Sequence, residues 1–239
     1  MFQNNLLMAA DAATSGTSLV EVGNSALFQE ANSEYLSRTP GATGVEEKGT
    51  FSGWVYRVEA GAYHYLFTTY VSSTNVFQIY ITSNDQLLCS NYSSGYDWQL
   101  LTTQLFRDVG WYHIVLAVDT TQSVAGERII LYINGKRVSA FATETYPSLN
   151  FVNDFNTASV PNLIGSFDTT PSNEFDGYMA EAVWIDGTQY AATDFGEFDE
   201  TGLYWTPLDS DTIKALTFGT NGFYLDNTTN AQTDASGEG

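Results

Sequence analysis

FDGYMAEAVWIDGTQYAATDFGEFDETGLY, residues 175–204, opens with an apolar run of strand length held between two Asp-Gly pairs, Asp176-Gly177 and Asp186-Gly187. Large apolar side chains crowd the run from Tyr178 to Ile185, which is how a largely buried β-strand between turns reads. Glu181 is the one carboxylate inside it. The stretch then continues through FGEFDETGLYW, residues 195–205, a compact acidic and aromatic turn region.

Outward from that strand the same signals recur. Fifteen Tyr, fifteen Phe and five Trp supply apolar surface in residue types that favour strands over helices. The patterning predicts strands over 51–58, 65–71, 76–82, 86–92, 98–105, 111–118, 129–133, 137–141, 162–167 and 178–185. Short strands with turn signals about every eight to twelve residues are the mark of a sandwich or barrel. Asn134-Gly135 predicts a two-residue hairpin, because both central positions of a type I′ turn need positive φ. Helix is nearly absent; Asp194 with Glu197 suits one short capped turn, which Gly196 weakens. The expected organisation is an Ala-rich polar arm over residues 1–18, one β domain over 19–226, and a polar tail over 227–239. No linker divides the middle part into two.

Twenty-eight acidic against eight basic residues give a formal net charge of −20, which repels nucleic acid and anionic bilayers. Binding to nucleic acid and insertion into a membrane are therefore not expected. Cys89 stands alone in DQLLCSNY and reads as a small buried hydrophobe, so no intrachain disulfide forms and synthesis in a reducing cytoplasm is expected. The N-terminal stretch has no basic residue before Arg38 and its apolar run is broken by Asp11, so it does not read as a secretory signal.

Five motifs in order carry a resemblance: Trp54, Trp111 to His113, Tyr132 to Gly135, Ile164-Gly165, and Phe175 to Glu181. Together with WYHIVLAVD and RIILYINGKRV they make the chain resemble the laminin-G-like branch of the concanavalin A-like lectin/glucanase jelly rolls. NSALFQEANSEYLSRTP (24–40), FGEFDETGLYWTP (195–207) and FGTNGFYLD (218–226) are similar to the version found in structural proteins of tailed, especially marine, bacteriophages. The resemblance implies an all-β, antiparallel two-sheet jelly-roll sandwich in a non-enzymatic virion protein, a capsid decoration or fibre component at the particle surface. The other readings are a host-polysaccharide-binding adsorption module of a tail fibre and, weaker, a glycan-cleaving enzyme. The expected partners are other virion proteins, reached through the apolar cluster Phe2, Leu6, Leu7 and Met8 of the arm, further copies of the chain, and host surface glycans.

The richest segment for glycan contact is SNYSSGYDW, where flat aromatic faces alternate with short polar side chains. Sugars stack their apolar faces on such rings while hydroxyls meet amides and carboxylates, so Asn91, Tyr92, Tyr96, Asp97 and Trp98 form the candidate ligand site. The alternative is a hairpin whose rings fold back on the sheet. No catalytic residues are expected: in EFDE, Glu197 and Asp199 would share a face but Glu200 points the other way. Glu181 is expected to reach a sheet edge or pair with Arg128 or Arg137. His113 is expected to pack in the core, and His64 has no second His near it, so no transition-metal site follows. Calcium is the one cofactor that loop carboxylates such as Asp119, Asp168 and Asp176 suit, although their spacing matches no dedicated calcium loop.

Overall fold

The computed structural model describes residues 24–108, 110–170, 172–228 and 233–237. The expected arm, residues 1–18, lies outside them, as does part of the tail. Sixteen strands are described: β1 (Ala26–Phe28), β2 (Leu36–Arg38), β3 (Lys48–Arg57), β4 (His64–Ser72), β5 (Asn75–Ile81), β6 (Gln86–Ser93), β7 (Tyr96–Leu105), β8 (Trp111–Asp119), β9 (Ile129–Ile133), β10 (Lys136–Arg137), β11 (Phe141–Thr145), β12 (Asn162–Ile164), β13 (Gly177–Asp186), β14 (Gly196–Phe198), β15 (Trp205–Pro207) and β16 (Phe223–Leu225). They form two seven-stranded antiparallel sheets and one small hairpin. The first sheet runs β1-β13-β3-β8-β9-β10, with β16 also pairing β13; the second runs β11-β7-β6-β5-β4-β12-β2. This is the expected jelly-roll sandwich. Among the described residues no helix is long and apolar enough to cross a membrane.

Period-two alternation sends one face of each sheet inward. Phe51, Phe67, Phe77, Leu116, Leu131 and Trp184 meet there and are fully or almost fully buried. Phe67 stacks on Trp184 with ring centroids 4.8 Å apart, and Phe77 meets Phe155 edge-on at 5.0 Å. Each such side chain contributes about 1.5–3 kcal/mol by leaving water. The one polar atom on Trp184, Nε1, donates to Asn156 Oδ1 at 2.7 Å, so its burial leaves no orphaned donor.

The expected strand over 137–141 is divided instead. Lys136 and Arg137 close the hairpin on β9, and Phe141 begins β11 in the other sheet, so the chain crosses between the sheets here. The hairpin itself is as read: Asn134 and Gly135 have φ of 48° and 75°. Gly135 is required twice over, since a Cβ there would lie 2.2 Å from the Trp205 ring.

A third layer covers the first sheet from outside. Phe195, Trp205, Ile213 and Phe218 pack with the outward side chains Trp54, Val115, Val183 and Ile185. The hairpin β14–β15 and the helix α1 (Ser210–Lys214) belong to this layer, and the Asp209 carboxylate caps α1 by accepting the Asp211 N–H at 2.9 Å. The expected capped turn lies before Asp194, not after it: a 3-10 turn spans Ala192–Asp194, and Asp194 accepts the Ala191 N–H at 2.8 Å. The described part of the tail is docked, with Ala235 N–H donating to the Tyr224 carbonyl at 2.7 Å and Asp234 accepting the Tyr224 N–H at 3.0 Å.

Candidate ligand-binding face

The opposite outer face, that of the second sheet, is built by β4 to β7. Their register puts Tyr65 beside Tyr80, Tyr80 beside Leu88 and Leu88 beside Leu101, all pointing away from the core. Two bulges make the face aromatic. One extra residue at Leu66 lets Leu66 and Phe67 both enter the core while Tyr65 stays outside. A second extra residue, Asp97, sets Tyr96 opposite Tyr92 on the outer face, where unbroken alternation would send it inward.

The rings form one cluster. Tyr65 stacks on Tyr80 at 4.5 Å, Tyr63 approaches Tyr80 at 6.1 Å, and Tyr92 meets Tyr96 edge-on at 5.2 Å. Tyr96 lies within electrostatic reach of Tyr65 and Tyr80, which brings the two groups onto one face. Phe167, from the loop after β12, packs against Tyr65 at 5.0 Å and Tyr70 at 5.5 Å. Burial, then the neighbouring tyrosines, push the Tyr65 and Tyr80 hydroxyls well above the ordinary range, so both stay neutral donors. The middle of the face is closed to solvent, with Gln78 donating to Ser90 at 3.1 Å, and the Thr68 hydroxyl there has no hydrogen-bond partner. The rim is open: Tyr63 and Tyr96 are 46% and 47% exposed.

The five residues expected to bind ligand divide across the sheet. Tyr92 and Tyr96 stand on the outer face, half-buried and exposed. Asn91 and Trp98 point inward and cannot meet a ligand, which corrects the reading for those two. Trp98 is fully buried and donates to Asn153 Oδ1 at 2.9 Å; Asn91 donates to Asp154 at 2.9 Å and to Asp97 at 3.0 Å. Asp97 is exposed but spends one carboxylate oxygen on that bond, so the three act as scaffold for the hairpin. The sequence reading missed Tyr63, Tyr65, Tyr80 and Phe167. The signal was the Tyr spacing in AYHYL and VFQIY, hidden by the bulge at Leu66.

The remaining candidates are occupied elsewhere. Glu181 is the bulged residue of β13, with φ of 51°, and it accepts the Tyr224 hydroxyl instead of pairing with Arg128 or Arg137. Arg128 serves the carbonyls of Gln122, Ser123 and Pro147, and Arg137 is paired with Glu127 at 3.0 Å. Asp199 is the centre of an acidic turn, accepting the N–H groups of Leu203 and Tyr204 at 3.0 Å. His113 is buried between Trp54 and Trp205, with ring centroids at 4.7 and 6.0 Å. Because Trp205 Nε1 only donates, His113 Nδ1 is the acceptor at 2.9 Å and Nε2–H donates to Ser52 Oγ, also at 2.9 Å. Burial drops its pKa to about 3, so the ring is neutral. His64 is fully buried, and burial drops its pKa to about 4. Burial also raises the Cys89 thiol far above its ordinary value, which makes it inert. Asp119 is taken by Lys48, Thr121 and Gln122, Asp168 accepts the Thr170 N–H, and the described residues hold no group of three His, Cys, Asp or Glu able to grip a metal.

An aromatic face with hydroxyls and amides can stack on and hydrogen-bond to a sugar. Similar folds occur among solved structures. A putative carbohydrate binding protein from Bacteroides ovatus matches at 14% identity with a TM-score of 0.53, over 85% of this chain and 54% of that one. Domain 4 of the arabinanase AbnA from Geobacillus stearothermophilus, solved with arabinotriose, matches at 16% identity with a TM-score of 0.51, over 76% and 80%. The enzymatically active domain of tailspike protein 2 of bacteriophage CBA120 matches at 14% with a TM-score of 0.47, over 82% and 34%. No curated protein matches the chain. The family model for the concanavalin A-like lectin/glucanases superfamily, in its laminin-G form, matches residues 30–192, and with the two-sheet sandwich around that segment the chain belongs to this superfamily.

Proposed function

We propose that this protein is a non-catalytic polysaccharide-binding module, serving a bacteriophage particle as an adsorption component. The observation that carries the glycan reading is the tyrosine cluster on the outer face of the second sheet. Tyr63 and Tyr96 offer solvent-accessible rings at its rim, and Tyr65 and Tyr80 hold them from below. The acidic residues considered for catalysis support the non-enzymatic part: Glu181 is engaged with Tyr224, and Asp199 with its own turn. Exchanging both Tyr92 and Tyr96 for Ala is expected to weaken retention on a bound polysaccharide at least about tenfold, equivalent to about 1.4 kcal/mol. Affinity electrophoresis of the folded variant beside the parent checks it; unchanged retention places binding elsewhere.

The phage placement rests on the sequence resemblance alone. Its motifs supply β2 at the edge of the second sheet, and β1, β16 and much of the covering layer on the first sheet, away from the tyrosines. That distribution favours a second reading, a purely structural decoration or fibre component held by those segments and by the arm over residues 1–18. Incorporation into particles without any glycan retention would support this second reading.

A further inference from the structure

Resting on the glycan reading above, we infer that the tyrosine face takes uncharged polysaccharide and excludes uronate, sulfated and phosphorylated chains. The first ground is the face itself. The outward positions of β4 to β7 are Tyr65, Thr68 and Tyr70; Val76, Gln78 and Tyr80; Leu88, Ser90 and Tyr92; and Tyr96, Gln99 and Leu101. None of these is ionic, and the one carboxylate in these strands, the bulge residue Asp97, is bonded to Asn91 and would repel an anion. Such a surface offers hydroxyls, amides and ring faces, which suit the C–H faces and hydroxyls of neutral sugars.

The second ground is the whereabouts of every cation. The chain has eight Lys and Arg, and all eight are described. Lys48 is paired with Asp119, Arg57 and Arg107 with Asp85, Arg137 with Glu127, and Lys214 with Asp226. Arg38 donates to the carbonyls of Asn221 and Gly222, and Arg128 to those of Gln122, Ser123 and Pro147. Lys136 lies over the Phe198 ring, in the hairpin at the far edge of the first sheet. No cation is left on the tyrosine face to meet an anionic sugar, and an anion brought there would lose hydration without gaining a counter-charge. The net charge of −20 adds a repulsive field during approach.

The test uses the full chain on a panel of immobilised polymers: laminarin, mannan and agarose as neutral chains, alginate as a uronate, and carrageenan as a sulfate ester. Retention on at least one neutral polymer is expected, changing less than about twofold between 0.05 and 0.5 M salt, because no ion pair is screened. Alginate and carrageenan should be retained at least about 100-fold more weakly, in keeping with an uncompensated buried charge. The Tyr92→Ala, Tyr96→Ala double variant should lose the neutral retention. Retention on alginate or carrageenan that falls with salt overturns the exclusion of charged chains while leaving glycan binding intact. Absence of retention on every polymer overturns the glycan reading, and this inference with it.

Discussion

Asp85→Asn is expected to cost about 3–5 kcal/mol at neutral pH, the range for breaking a buried ion pair by removing one partner. Arg57, only 7% exposed, gives one guanidinium nitrogen to Asp85 at 2.8 Å, and Arg107 gives its Nε to the other carboxylate oxygen at 2.6 Å. Gly61 N–H donates to the same carboxylate at 2.8 Å. Burial pushes the Asp85 carboxyl up, yet the hydrogen bonds from Arg107, Gly61 and Arg57 outweigh it and hold the pKa at about 2, below the ordinary 3.8. The stability this supplies is present above pH 3.8 and is lost as pH falls through about 2. Asparagine suits the positive φ of 64° at this position, so the loss reports the charge and not the turn. A melting temperature lowered by about 10 °C is expected, at about 2–4 °C per kcal/mol for a chain of this size. Arg107→Gln, whose side chain is 60% exposed, should cost less than about 1 kcal/mol. An Asp85→Asn melt within experimental error of the parent would mean that Arg57 is satisfied without its carboxylate.

This ion pair bears on binding as well as stability. Asp85 holds the Gly61 N–H, and Arg57 donates to the Ala62 carbonyl at 3.2 Å, so the pair anchors the loop that delivers Tyr63 to the tyrosine face. Loosening it should weaken glycan retention below the melting temperature too.

The longer strands were readable because they show their alternation, as in WYHIVLAVD, where Ile114, Leu116 and Val118 go inward and His113, Val115 and Ala117 outward; three-residue strands such as β1, β2 and β14 to β16 are too short to show one. The hairpin at Asn134-Gly135 was readable because its φ requirement is local. The bulges were not, since an extra residue leaves no mark in composition yet reverses every side chain beyond it. Tyr96 reaches the outer face of the second sheet, and Glu181 leaves the strand pattern, for that reason. Trp98 misled because an aromatic in a polar, turn-rich segment resembles a sugar platform; its partner Asn153 lies 55 residues away, beyond any local pattern. The covering layer was unreadable for a similar reason: FGEFDETGLYW announces a turn but not the sheet face on which Trp205 settles.

Glu181→Gln is expected to stabilise the protein above pH 7 and to change little below pH 4.5. The side chain is only 8% exposed, in the left-handed bulge of β13, under the covering layer. Burial raises its pKa from the ordinary 4.5 to about 7; the Tyr224 hydroxyl and Lys214 oppose the rise, while Asp226 and Asp209 add to it. Lys214 is itself paired with Asp226 at 3.0 Å, so it cannot neutralise a second carboxylate well. A carboxyl whose folded pKa lies above its unfolded one contributes stability that is fully present below pH 4.5 and is lost as pH rises through about 7. By pH 8 the ionised form therefore costs about 3 kcal/mol. Glutamine removes the ionisation but keeps an oxygen that can accept from Tyr224, and it bears the same positive φ, so the difference between the two proteins isolates the charge. Tyr224→Phe acts the other way: it removes the donor that favours the carboxylate and should deepen the loss at pH 8. Urea unfolding of the three proteins at pH 4.5 and pH 8 measures this directly. Parallel pH dependences for Glu181→Gln and the parent would show that Glu181 ionises at its ordinary pH, through water reaching the bulge, and that the covering layer is not sealed over β13.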